Sequence, residues 1–440
     1  MRPQAATATG NEPEPVGEGS LKPFPLTAYS LLAFPLAFAG LPIYLHAPDF
    51  YAVTLQVSLA TLGPILLLLR TVDALQDPFI GSLSDRFHDR RAEILLLGAA
   101  LLATGFYMLF NPVKSAPLVW FALSVLICTT GFSIVSINFQ ALGGLWHTPS
   151  QERTRITTCR EAFGLTGLLI AATAPSLLAD PDDPASALHR LSLIFLPLLA
   201  IACGFFVYWM RTVPLKRPRT HRIDKGWRYL MRDRWRRLFF SFVFLNTFAG
   251  AIPAVLVIFF IRDRLGAENL TGLFLLLYFF SGALSMPLWA RLARHSGKMA
   301  TWRVSVAAAI VTFFWAAFLG QGDVISYGFV CAFSGLSLGA DLALPPAILA
   351  DHIDADSREH DASRLFAVMT FLSKSSLAVA TGCTLPLLGL FGYVPREPLT
   401  LETEWMLSFL YAGLPCAMKL VVLSGLLLLE KDLSTNRSAM

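Results

Sequence analysis

The sequence predicts an all-α membrane protein, with twelve transmembrane helices in two six-helix bundles and both termini in the cytoplasm. Three observations carry that expectation. Of the 440 residues, 55% are hydrophobic and 15% charged, where a soluble domain holds about 25% charged residues. Apolar stretches long enough for a helix to cross a bilayer recur along the whole chain. The basic residues fall mostly in alternate connections. Twenty-seven lie on one side, only Lys114, Arg190, Arg262, Arg264 and Arg396 on the other, and Arg70, Lys374 and Lys419 inside stretches.

The stretches run over 26–46, 52–82, 93–111, 117–146, 160–179, 189–211, 238–261, 268–290, 304–320, 324–350, 365–392 and 403–430. Basic residues concentrate at 86–91, 153–160, 211–237 and 291–303. By the positive-inside rule this places both termini inside and requires an even number of spans. Residues 1–22 are rich in Pro, Glu, Gly and Ala and lack the basic start and apolar core of a signal peptide. They are expected to be a disordered cytoplasmic tail, with a second short tail at 432–440. The six cysteines are scattered, without the spacing of a zinc site or a disulfide framework, and are expected as small buried hydrophobes.

Six stretches precede the basic segment 212–237 and six follow it. The expected units are therefore an N-terminal bundle at 23–211, a cytoplasmic linker at 212–237 and a C-terminal bundle at 238–431. Within 224–238, Trp227, Leu230, Met231, Trp235 and Leu238 recur at helical spacing among arginines. That pattern predicts an amphipathic helix on the membrane surface, facing anionic headgroups rather than nucleic acid. The halves also echo each other. A basic turn follows the second stretch (Arg86, Arg90, Arg91) and another follows the eighth (Arg291, Arg294, Lys298). Two similar bundles around a central site are a transporter plan.

The second stretch is where the chain departs from greasiness. Counting back from Asp85 as the cytoplasmic end, Asp77 lies about 12 Å deep and Asp73 about 18 Å deep. Four residues apart, both carboxylates share one helix face, and Arg70 is placed to meet Asp73. An ionisable group at that depth costs several kcal/mol unless paired or hydrated. A cation between the two carboxylates removes both the burial cost and their repulsion. Na⁺ suits hard oxygen ligands, and a proton neutralises one carboxylate of such a pair. Asp341 and Lys374 lie at similar depth in the second half. Either they pair with each other, or Lys374 reaches across to Asp73 or Asp77 and competes with the cation. Lys419, nearer a helix end, is expected to snorkel.

The stretch GSLSDRFHDRR at 81–91 resembles the loop signature of the major facilitator superfamily. In that superfamily the Asp and Arg latch neighbouring helix ends, a gating role that the resemblance carries to Asp85 and Arg86, with the basic pair Arg90 and Arg91; Arg70, three residues before Asp73, is counted with these gating residues. RTVDALQDPFIGSLSDR at 70–86 looks like the second-helix signature of the glycoside-pentoside-hexuronide:cation symporters, the melibiose permease-like family. SINFQALGGLWHTPSQERTRITTCRE, PLWARLARHSGK and LGADLALPPAILADHIDAD resemble its fourth, eighth and tenth helices with the loops that follow. The likeness extends over 25–430.

The resemblance implies a cation-coupling site at Asp73, Asp77, Lys374 and Ser136, with Asp73 and Asp77 as the Na⁺ ligands. It implies a sugar-binding arginine at Arg160. It also shows departures. In melibiose permease an Asp of the first helix and an Asp and a Trp of the fourth bind sugar. Here the first stretch has no acid, and Ser136 and Gln140 stand at the fourth-helix positions beside Asn138. Tyr29, Asn138, Gln140, Arg160 and Asp341 remain as solute-binding candidates. Arg160 suits an anion such as a uronate or a phosphate headgroup.

The expected function is a secondary active transporter: cation-coupled symport of a glycoside, hexuronide or related small solute by alternating access. The alternative is a lysophospholipid or other amphiphile carrier on the same fold, coupled to protons. A third class, a non-transporting membrane protein, predicts tolerance of Asp77→Asn. No nucleophile–base pair or metal-ligand spacing points to an enzyme, and no cofactor is expected beyond a coupling Na⁺ or H⁺. The expected partners are the solute, the coupling cation and the bilayer, for a monomer in a bacterial inner membrane.

Overall fold

The computed structural model describes residues 23–47, 50–51, 54–57, 59–113, 115–178, 186–216, 229–355, 361–393 and 398–437. Apart from one isolated bridge between Trp146 and Leu215, its regular structure is helical. The helices are α1 (Pro23–Ser30), α2 (Ala33–Leu41), α3 (Leu59–Arg86), α4 (Arg91–Leu109), α5 (Pro117–Gly144), α6 (Ser150–Leu178) and α7 (Ser186–Thr212). There follow α8 (Arg234–Phe259), α9 (Thr271–Ser296), α10 (Lys298–Phe313), α11 (Val324–Ala355), α12 (Ala362–Leu390), α13 (Leu401–Ser408) and α14 (Leu414–Arg437). Among the described residues, 10 helical segments are long and apolar enough to cross a membrane. Two further helices, α3 and α6, have comparable lengths of 28 and 29 residues. The chain is a multi-pass membrane protein.

Two of the expected stretches are interrupted, and proline explains both. Pro35 has no N–H to give the carbonyl of Leu31. That carbonyl takes the N–H of Phe34 instead, at 3.1 Å, and the first stretch splits into α1 and α2. In the last stretch Pro415 cannot bond Tyr411, and a π-turn at Phe409–Gly413 separates α13 from α14. The sixth connection also differs from expectation. Asp233 caps α8 by accepting the N–H of Trp235 at 3.1 Å, so Trp235 and Leu238 begin a spanning helix rather than continue a surface one. The part of the expected amphipathic helix at 224–228 and the tail at 1–22 lie outside the described residues.

One hydrophobic core gathers Tyr29, Phe106, Phe121, Phe195 and Trp209 from α1–α7. Another gathers Phe239, Trp302, Leu344 and Phe366 from α8–α14, with Ala141 of α5 and Leu145 just after it at its edge. Small clusters bridge the two sets: Ile80 and Ile137 with Ala367, and Leu165 with Met286 and Ala343. Gly81 of α3 makes one of these approaches possible. A Cβ there would stand 2.6 Å from the Cβ of Ala367 and 2.9 Å from the carbonyl of Ser363.

The approach is uneven along the helices. At the end nearest the 212–237 segment, every residue of 343–350 on α11 and of 361–367 around the start of α12 is buried. A helix is buried on all sides only when other helices surround it. Further along α12, residues 377–379 are all exposed, which covers more than half of the helix circumference. The two sets of helices therefore pinch together at the linker end and part towards the other.

Candidate cation and solute site

α3 brings Asp73 and Asp77 to one face, as their spacing requires, and both are buried. α12 brings Lys374 against them from the second set of helices. Its ammonium donates to Asp73 Oδ1 at 2.8 Å and to Asp77 Oδ1 at 3.0 Å. It also donates to Ser133 Oγ of α5 at 2.7 Å, and Ser133 bonds Asp73 Oδ1 at 3.2 Å. Gln76 donates to Asp73 at 3.1 Å and accepts from Thr130 at 2.9 Å, tying α3 to α5. Asp77 Oδ2 is buried and has no hydrogen-bond partner among the described residues. Two carboxylates and one ammonium leave the cluster with one net negative charge, one positive charge short of neutral, and with an oxygen in hand. A monovalent cation fits that deficit. Pro78 adds to it, because it removes the N–H that would bond the carbonyl of Ala74.

Several expected residues stand elsewhere. Lys374 pairs with Asp73 and Asp77, not with Asp341. Asp341 instead receives Lys419 at 2.8 Å and Trp302 Nε1 at 3.2 Å. Lys419 also donates to Asn246 at 2.8 Å, so it points into the second helix set and does not snorkel. A neutral partner and an acid lie within its reach, which a membrane surface could not better. Ser136 bonds Gln140 at 3.1 Å. It lies about 4.5 Å along α5 from Ser133, one turn away from the hydroxyl that joins the cation cluster. Asn138 is wholly buried and clamps α5 to α3 through Ser84 at 3.0 Å. Arg70 is exposed, as are Arg86 and Arg90.

Arg160 is buried on α6 and lines a small cavity between the helix sets with Tyr29, Gln140, Thr157, Pro346 and Phe366. Tyr29 is held by Phe139, Trp146 and Trp209 and donates to the carbonyl of Phe139 at 3.1 Å. The guanidinium of Arg160 is paired with Glu161.

Below this cavity two ionic latches join the helix sets at the linker end. In the first, Asp85 accepts Arg91 at 2.5 Å. It also accepts the backbone N–H groups of Ser363 and Arg364, at 2.9 and 2.8 Å, at the start of α12. A carboxylate there also meets the positive end of the helix dipole. In the second, Arg153 of α6 grips the last turns of α11. It bonds the carbonyl of Ala350 at 2.9 Å, Asp351 at 3.0 Å and Asp354 at 2.5 Å. Lys298 joins Asp351 at 2.6 Å, and Lys216 pairs with Asp354. Asp233 faces His352 of the same turn at 3.4 Å, and Trp235 stacks on that ring. Bonding to His352 holds the Asp233 carboxyl below the usual range. Both ends of the linker thus hold the same turn of α11.

Sequence reasoning missed Ser133, Gln76, Glu161 and the Arg153 latch. Glu161 carried a signal as an acid inside the apolar stretch 160–179, and Arg153 as part of the basic cluster 153–160.

Two helix sets closing on a buried charged cluster are the build of a membrane carrier. Residues 26–430 match the family described as MFS/sugar transport protein, and the chain belongs to that family. The uncharacterized symporter YjmB of Bacillus subtilis is 23% identical over 394 residues, covering 83% of this chain and 84% of that one. The glucuronide carrier protein homolog of Escherichia coli is 24% identical over 428 residues, covering 90% of each. A shorter match, 28% identical over 179 residues, joins 39% of this chain to 33% of the sodium-dependent lysophosphatidylcholine symporter 1 of Gallus gallus. The fold is similar to a bacterial homologue of the iron transporter ferroportin in its outward-facing state. The TM-score is 0.70 at 16% identity, over 92% of this chain and 99% of that one.

Proposed function

We propose that the protein is a secondary active transporter that couples symport of a glycoside, hexuronide or related small organic solute to Na⁺ or H⁺ by alternating access. The observation that best supports this is the Lys374 ammonium, which lies between Asp73 and Asp77 although it belongs to the other helix set. A cation arriving at Asp77 Oδ2 competes with that ammonium for the same oxygens. Bound cation weakens the Lys374 bridge, one of the charged contacts holding the halves in their present arrangement. Solute between Arg160 and the second helix set then decides which way the halves rock.

In this reading 23–211 and 238–431 are the rocking units, and α3 and α6 complete twelve spans. The positive-inside pattern makes the linker end cytoplasmic, so the structure is the outward-facing arrangement, with Asp85 and Arg153 as inner latches. Arg91 and Arg364 serve the first latch, and the exposed Arg86 and Arg90 lie around it, whereas Arg70 stands about 22 Å away along α3. The chain works as a monomer in a bacterial inner membrane.

A second reading, an amphiphile carrier, is favoured by the local match to the lysophosphatidylcholine symporter and by the absence of acids in α1 and α2. Thermal stabilisation of the purified protein separates the two. Sugars, uronates and lysophospholipids are tested with and without Na⁺ at two pH values. Stabilisation by a sugar class that grows with the cation supports the symporter. Stabilisation by lysolipids alone moves the assignment to the second reading, and indifference to every cation and solute counts against both.

A further inference from the structure

Thr154, Thr157 and Thr158 lie in the linker-side part of α6, and their hydroxyls differ. That of Thr157 donates to the carbonyls of Arg153 and Thr154, at 3.2 and 3.0 Å, the usual resort of a threonine inside a helix. Those of Thr154 and Thr158 are buried, with the residues 1% and 6% exposed, and have no partner among the described residues. Four residues apart, they share one helix face, and that face continues through Ala162 to Leu165. Ala162 and Leu165 pack on Met286 of α9 and Ala343 of α11. Glu152, in the turn below, approaches Arg294 of α9 at 3.6 Å. The two unbonded hydroxyls therefore sit in the seam between the helix sets, at the linker end. The other seam, where α3 and α5 meet α12, repeats the arrangement. Asn138 Oδ1 of α5 and Ser363 Oγ of α12 are buried there and equally unpartnered among the described residues.

We propose that Thr154 and Thr158 are gating residues of the inner path: dry and unbonded while the linker end is closed, hydrated once it parts, they set how readily it parts. This rests on the transporter reading. A buried hydroxyl without a partner raises the free energy of the state that buries it. Separating α6 from α9 brings water to both hydroxyls and removes that cost, whereas the hydroxyl of Thr157 is bonded in either arrangement. The pair thus works against the latches of Asp85 and Arg153, which favour closure. Latches without an opposing term would trap the linker end shut. The stripe also adjoins the cavity. Arg153 and Thr157 line it, and Thr154 and Thr158 each follow one of them in the chain. Once the linker end parts, this face continues the cavity towards the linker side as a wall of hydroxyls, which can donate to and accept from the oxygens of a polar solute as it leaves. Asn138 and Ser363 have the same character on the other seam. An apolar side chain of the same shape would pack the closed seam without the cost.

The test replaces both threonines by valine, which keeps their shape and removes the hydroxyls. The N–H groups of Ser363 and Arg364 report the outcome. They bond Asp85 across the closed linker end, so their exchange with solvent hydrogen follows its opening. The purified full-length Thr154→Val/Thr158→Val variant should melt at a higher temperature than wild type, and these amides should exchange about fivefold or more slowly. Thr166→Val removes a hydroxyl bonded to the carbonyl of Ala162 on the exposed side of α6 and should not slow exchange. A double variant that melts lower, exchanges as fast as wild type or fails to fold overturns the inference, because its hydroxyls then hold the seam together or play no part in it. Cation-driven accumulation, and its loss in Asp77→Asn, judges the transporter reading apart. Unchanged exchange with that accumulation intact sinks the gate alone. Slower exchange without any accumulation keeps the opening and sinks the transporter reading.

Discussion

The ammonium of Lys374 stands 3.0 Å from Asp77 Oδ1, and the two residues belong to different helix sets. This single contact joins the candidate cation site to the surface along which the halves meet. In the proposed mechanism, binding a cation at Asp77 and moving the halves are the same event.

Removing the lysine separates these roles. In Lys374→Met the two carboxylates lose their buried partner, a loss that costs about 3–5 kcal/mol for a buried pair. Without added cation the variant should melt well below wild type. Saturating cation should recover most of the difference, at a lower concentration than wild type needs, because no ammonium competes. Coupled accumulation should be lost. A cation affinity equal to wild type by thermal titration would mean that Lys374 does not compete.

Gly81→Leu should hold the linker end apart. The added side chain has no room against Ala367 and the carbonyl of Ser363. Spin labels on the linker-side ends of α3 and α12 should report a longer mean distance than in wild type. An unchanged distance would show that the close approach is not needed for the closed end.

The latches should act on rate rather than on ion affinity. Arg153→Ala releases Asp351 and Asp354 together, and Asp85→Ala releases the start of α12. Both should slow transport several-fold while leaving the apparent cation affinity within about twofold of wild type. A shift of the cation affinity as large as that of the rate would tie the latches to the ion site itself.

The pair of Asp341 and Lys419 should prove structural. It joins α11 to α14 within one helix set, away from the cavity residues. Lys419→Met alone leaves the half-buried Asp341 carboxylate with only Trp302 as its partner and should lower the melting temperature. Adding Asp341→Asn should restore most of the melting temperature and leave transport near wild type. A stable double variant without transport would return Asp341 to the solute-binding residues.

Much of the fold and part of the site were legible in the sequence, for physical reasons. Apolar length and the alternation of charge mark the helices, since a bilayer enforces both. Asp73 and Asp77 stood out because a carboxylate at their depth needs a partner. Which partner they have was not legible. Lys374 and Lys419 both lie within the second set of helices, and only the packing of α12 against α3 gives the first to Asp77 and leaves the second to Asp341. Ser133 and Ser136 differ by one helical turn, too fine for a sequence to resolve. Glu161 was passed over because its neighbour drew the attention. A charged pair one residue apart does not meet on a helix by spacing alone, but the long arginine side chain folds back to it.

The most direct test is solute accumulation in proteoliposomes under an imposed Na⁺ or proton gradient, comparing wild type with Asp77→Asn. The expected result is accumulation by wild type under at least one gradient. In the variant no gradient should drive accumulation, while solute counterflow persists. Equal accumulation in the two proteins would remove Asp77 from the coupling site and contradict the competition between cation and Lys374.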